Sequence, residues 1–140
     1  MALWPSLAPG ETLVSKAEAD QIFSLNLQGW ESFVQQMPVP EGWEARRLPH
    51  DTGTSWMGID SAGGFSLLVQ PLFDDQSSPP LMLVIGNYYP VGYLNDFNDQ
   101  VRGDMEKATQ NDLGTDYAVR VQFSRLPEAD LLELLITKVQ

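Results

Sequence analysis

Cysteine is absent from the 140 residues, and histidine occurs once, at position 50. Without thiols there is no disulfide, no thiolate nucleophile and no sulfur-ligated metal. A single imidazole leaves any bound ion to carboxylates, which suit hard cations such as calcium or magnesium. Positive charge is scarce as well: 8 Lys and Arg stand against 19 Asp and Glu, for a net charge of −11. That field repels phosphate backbones and anionic lipid, so nucleic acid and membrane are set aside as partners and a basic protein is favoured. No apolar run approaches the roughly 18 residues that span a bilayer. The first ten residues, interrupted by Pro5 and Pro9, lack the basic start of a secretory signal, and a cytoplasmic location is expected.

What is present is a globular balance, with 43% apolar and 19% charged residues. The length suits one domain over residues 1–140. Residues 1–14 read as an extended arm, because two prolines and Gly10 oppose a helix while Leu3, Trp4, Leu7 and Leu13 can still be buried.

The element with the clearest period is Leu94 to Leu113. Leu94, Phe97, Val101, Met105 and Ala108 recur at steps of three and four, which gathers them on one side of a helix. Asp96, Asp99, Gln100, Glu106, Lys107 and Gln110 collect on the other side, and Gly114 sits where a helix-ending glycine belongs. An earlier helix is announced by Ser15-Lys-Ala-Glu18, a capping box, with a break expected at Gly29 between Lys16–Leu27 and Trp30–Gln36.

Strands are expected at Glu44–Leu48 on a sheet edge, then at Ser55–Asp60 and Phe65–Phe73 joined by a glycine-containing hairpin turn. Pro71 points to an edge or a bulge in the latter. The unalternating run Leu81–Asn87 fits a central strand, and Tyr117–Ser124 alternates cleanly. Pro127, Glu128 and Asp130 suit the first turn of a closing helix whose broad apolar surface, Leu131 to Val139, would serve this domain or a homodimer. The expected fold is α+β: an antiparallel sheet of about five strands against two or three helices, in the order α-β-β-β-β-α-β-α. The segment Pro38-Val-Pro-Glu-Gly-Trp43 that leads into the sheet resembles the Mog1/PsbP-like group, which includes chaperones of secreted effectors; the likeness spans about six residues and assigns no site residue.

Catalytic chemistry has little to build on. His50-Asp51 with Ser55 could be drawn as a hydrolase triad, but no Gly-x-Ser-x-Gly elbow accompanies it. Asn95–Asp99 and Asp74-Asp75 are dense in oxygen, yet neither has the spacing of a twelve-residue calcium loop. No metal, no cofactor and no enzyme activity is therefore expected. Tyr88, Tyr89 and Tyr93 lie beside the acidic start of the central helix, and tyrosine is a frequent anchor at protein interfaces.

Small, acidic, cysteine-free and catalytically sparse is a profile that resembles bacterial toxin immunity proteins as a class. It implies occlusion of a basic toxin or effector, with Asp74, Asp75, Asp96, Asp99 and Glu106 meeting Lys or Arg groups and Tyr88, Tyr89 and Tyr93 as anchors. The second expectation is a secretion chaperone that shelters an apolar client segment, and a small hydrolase ranks last.

Overall fold

The computed structural model describes residues 14–139 apart from 38, 40, 51, 52 and 61. The arm expected over residues 1–14 lies outside them except for Val14, which is buried. Among the described residues, three helices and six strands follow in the order α1 (Lys16–Ile22), α2 (Leu27–Gln35), β1 (Glu44–Leu48), β2 (Ser55–Asp60), β3 (Phe65–Leu72), β4 (Met82–Tyr89), α3 (Asp99–Leu113), β5 (Tyr117–Arg125) and β6 (Asp130–Lys138). The class is α+β, with one six-stranded antiparallel sheet in the order β1-β2-β3-β4-β6-β5.

The capping box forms as the sequence dictates. Ser15 Oγ accepts from Glu18 N at 3.2 Å and Glu18 Oε1 accepts from Ser15 N at 3.0 Å, a pair worth about 1 kcal/mol to the helix. The break between the first two helices falls at residues 23–26 rather than at Gly29, because Asn26 supplies a better start: its side chain accepts from Gly29 N at 2.8 Å. Gly29 is carried inside α2 as a tolerated cost.

All three helices pack on one face of the sheet. Trp30, Val34 and Ile22 from the first two, with Phe23 just after α1, meet Trp56, Leu67, Ile85, Leu134 and Ile136 in a single core cluster. Gly58 leaves the space over β2 that the indoles of Trp43 and Trp56 fill; a Cβ there would collide with Trp56. The other face, where Met57, Leu68, Val84, Tyr88, Leu131 and Leu135 alternate with the core residues, is covered by no described helix and leaves most of these half-buried.

The closing helix does not exist. Leu131 to Lys138 belong to β6, an inner strand with β4 on one side and β5 on the other. Leu132, Leu134 and Ile136 face the core, while Leu131, Glu133 and Leu135 face away from the helices. Leucine on both faces hid the period of two, and Pro127 starts a β-turn as readily as a helix: Leu126 N donates to Ala129 O at 2.8 Å to close the β5–β6 hairpin. The homodimer expected through that helix therefore loses its surface.

Two further expectations are refined. Pro71 sits in an inner strand, but β2 pairs with β3 only as far as Trp56 opposite Val69, so at Pro71 the strand meets β4 alone and is locally an edge. The central helix begins at Asp99, not Leu94; Asn98 caps it by accepting from Val101 N at 2.9 Å, and Gly114 ends it at φ +82°. Thr109 and Leu113 replace Ala108 in the buried stripe, and Ala108 is exposed.

Candidate functional site

β4 runs out at Tyr89, and the chain then turns tightly, with Tyr93 N donating to Pro90 O at 3.0 Å and Phe97 N to Leu94 O at 3.0 Å. Gly92 takes φ +86° within it, a conformation that a side chain would oppose. The Tyr93 ring stacks on that of Tyr89 at 5.0 Å, and Phe65 meets both edge-on, at 5.4 Å to Tyr93 and 5.9 Å to Tyr89. Tyr89 is buried, whereas Tyr93 remains 49% exposed. The inner ring holds the outer one in place.

Beneath the turn lies Asp130, only 2% exposed, which accepts from Leu94 N at 3.0 Å. Arg125 stands 3.8 Å from the same carboxylate and reaches the carbonyls of Leu94 and Asn95 at 3.4 and 3.5 Å. Phe97 packs on Phe123 at 4.6 Å, and the Arg125 guanidinium lies over the Phe123 ring at 4.9 Å. A buried charge that accepts a main-chain N–H is costly to strip of its partners, so these contacts fix the turn. The fixed turn forms one wall of a groove of about 370 Å³ lined by Tyr93, Leu94, Asp96, Phe97 and Val101.

Asp96 and Asp99 are both exposed at this end of the sheet, Asp99 with a partner 3.8 Å away in Arg102. Val91 and Leu126, the latter in the β5–β6 hairpin, add exposed apolar surface there, at 63% and 39%. Apolar anchors flanked by carboxylates are suited to a basic protein surface.

The remaining residues named from the sequence do not join this patch. Asp74 and Asp75 lie in the loop before β4, at its opposite end, about 25 Å away along an eight-residue strand. Asp75 there accepts from both the N–H and the hydroxyl of Ser77 at 2.9 Å, and these bonds lower its pKa below the ordinary value. Tyr88 points to the helix-free face, where burial and the nearby Glu133 charge raise its pKa. Glu106, half-buried, is taken up by the sheet edge: its Oε2 accepts from Val121 N at 2.9 Å and from Arg102 at 3.2 Å. Of the eight, Tyr93, Asp96 and Asp99 form the exposed patch, with Tyr89 as its support. The supports Asp130 and Arg125 were invisible to sequence reading, because their partner, the turn at Leu94, is more than 30 positions away.

His50 and Ser55 do come together, Nε2 to Oγ at 2.8 Å, while Asp51 lies outside the described residues. Ser55 has no exposed surface and its hydroxyl also donates to Leu48 O at 3.4 Å. A nucleophile must reach its substrate, so this pair acts as a clip across the β1–β2 connection. Among the described residues no group of three His, Asp or Glu is arranged to hold a metal, and no helix is long and apolar enough to cross a membrane.

The chain matches no family model, no curated protein and no solved structure. The functional reading therefore rests on the surface itself.

Proposed function

We propose that the chain is a small acidic protein-binding module of the immunity or inhibitor kind, which neutralises a basic toxin or effector in the cytoplasm by occluding it. The observation that carries this reading is the pre-set turn, where Tyr93 stands over a groove rimmed by Asp96. A rigid aromatic loses little freedom on binding, so a modest patch can yield useful affinity. The net charge of −11 would steer a basic partner toward it. The reading is tested by protection. Co-expression with a basic toxin domain that the chain binds should prevent growth arrest, and Tyr93→Ala with Asp96→Lys should abolish protection without lowering the amount of folded protein. Full protection by that double variant would refute the assignment of this patch.

A second reading has its own observation. Met57, Leu68, Val84, Leu131 and Leu135 give the helix-free face of the sheet an apolar surface that only Glu133 interrupts among them, which suits a secretion chaperone sheltering an apolar client segment. In that case Leu68→Glu and Leu135→Glu would destroy client stabilisation while Tyr93→Ala would leave it intact.

A further inference from the structure

The two edges of the sheet are treated differently. On β5 the outward N–H groups of Val119 and Val121 are taken by Gln110 at 3.2 Å and Glu106 at 2.9 Å, so α3 closes that edge. Among the described residues β1, the other terminal strand, pairs only with β2. His50 and Gly53 exchange two main-chain hydrogen bonds of 3.1 Å and continue the β1–β2 register. Since bonded pairs alternate along an antiparallel ladder, Leu48, Arg46 and Glu44 direct their main-chain groups to β2, and Ala45 and Arg47 direct theirs outward.

A bare edge is normally guarded by charged side chains, lysine above all. This edge carries both signs: Glu44 and Arg46 lie on one face, both well exposed, 3.8 Å apart. We propose that β1 is a self-pairing edge, and that two copies of the chain join there, antiparallel, with Ala45 opposite Ala45, into one continuous sheet.

The register follows from three constraints. A two-fold axis perpendicular to the sheet keeps each face with its like, so only shifts that preserve alternation are allowed. With Ala45 on the axis, Glu44 of each copy stands opposite Arg46 of the other, and the outward main-chain groups of the two Ala45 residues meet each other. On the helix-covered face, Arg47 comes opposite Trp43, whose ring lies over Gly58. Slipping the pairing by one allowed step in either direction sets Arg46 against Arg46 or Glu44 against Glu44. The charges thus select a single register and repel its neighbours. Small methyl groups at the axis allow close approach.

Sedimentation of the purified full chain at about 150 mM salt, from about 10 µM to 1 mM, tests this. The mass should rise from 15.6 kDa toward twice that value with concentration. Ala45→Pro removes an outward N–H without touching the bonds to β2 and should weaken association more than tenfold, with the circular dichroism spectrum retained. Glu44→Arg alone and Arg46→Glu alone each oppose like charges and should do the same, while the double variant, with the two charges exchanged, should associate within about threefold of the parent. A chain that stays monomeric at 1 mM overturns the proposal. So does a dimer that Ala45→Pro leaves intact, or one indifferent to both single charge reversals. Should Ala45→Pro fail to fold, the three charge variants decide alone.

Discussion

Glu106 on α3 accepts the main-chain N–H of Val121 on β5 at 2.9 Å, and that bond closes a sheet edge that would otherwise be open. Four residues on, Gln110 accepts from Val119 N and donates to the Tyr117 carbonyl. One helical stripe, Arg102, Glu106 and Gln110, therefore runs along the edge strand while the next, Val101, Met105, Thr109 and Leu113, enters the core.

Glu106→Ala should lower unfolding stability by about 1–3 kcal/mol, since it strands a main-chain donor and the Arg102 partner. The check is urea denaturation together with hydrogen exchange at the Val121 amide, which should speed up more than the amides of β4. An unchanged Val121 exchange rate would mean the edge is protected by something else.

Acid sensitivity is expected where α1 meets β5. The Tyr117 hydroxyl donates to Asp20 at 2.6 Å and Lys16 lies 2.9 Å from the same carboxylate; together, the tyrosine first, they hold the Asp20 pKa below its usual 3.8. A carboxyl whose folded pKa is depressed stabilises the fold at pH values above the unfolded value and loses that contribution as pH falls through the folded one. Stability should therefore decline from about pH 4 downward, and Tyr117→Phe should raise the Asp20 titration midpoint and flatten this part of the decline. Carbon-detected NMR titration of the Asp20 side chain measures both.

Asn87 is the opposite case, a polar group whose removal should help. Its side-chain nitrogen and oxygen are buried and have no partner among the described residues, between Leu67 and Leu132 in the sheet. Replacing an unsatisfied amide by an apolar side chain of similar size recovers its desolvation penalty. Asn87→Leu should raise stability by about 1 kcal/mol, seen as a higher denaturation midpoint at unchanged slope. A loss of stability would reveal that the amide serves a bound group or a water.

The sequence makes visible whatever is written locally. The capping box at Ser15, the β2–β3 hairpin, the edge position of β1 and the terminal glycine at 114 all follow from neighbours a few residues apart. Leu131–Val139 escaped because an inner strand between two others needs no polar face, so its alternation is masked by leucine. The site divided along the same line. Exposure of Tyr93 and Asp96 could be read from their acidic, turn-rich surroundings, but the inward role of Glu106 depends on which strand lies beside α3, and the separation of Asp74 from Asp96 depends on β4 running straight between them.

The central claim is that the turn from Val91 to Phe97 is the face offered to a basic partner. The most direct measurement is the association rate with that partner's purified domain between about 50 and 500 mM salt, for the parent chain, Tyr93→Ala, Asp96→Lys and Asp75→Lys. The account predicts a rate that falls at least tenfold with salt, slower association for Asp96→Lys, faster dissociation for Tyr93→Ala, and near-parental binding for Asp75→Lys at the far end of β4. A rate independent of salt, with Tyr93→Ala and Asp96→Lys binding as the parent does, would contradict it.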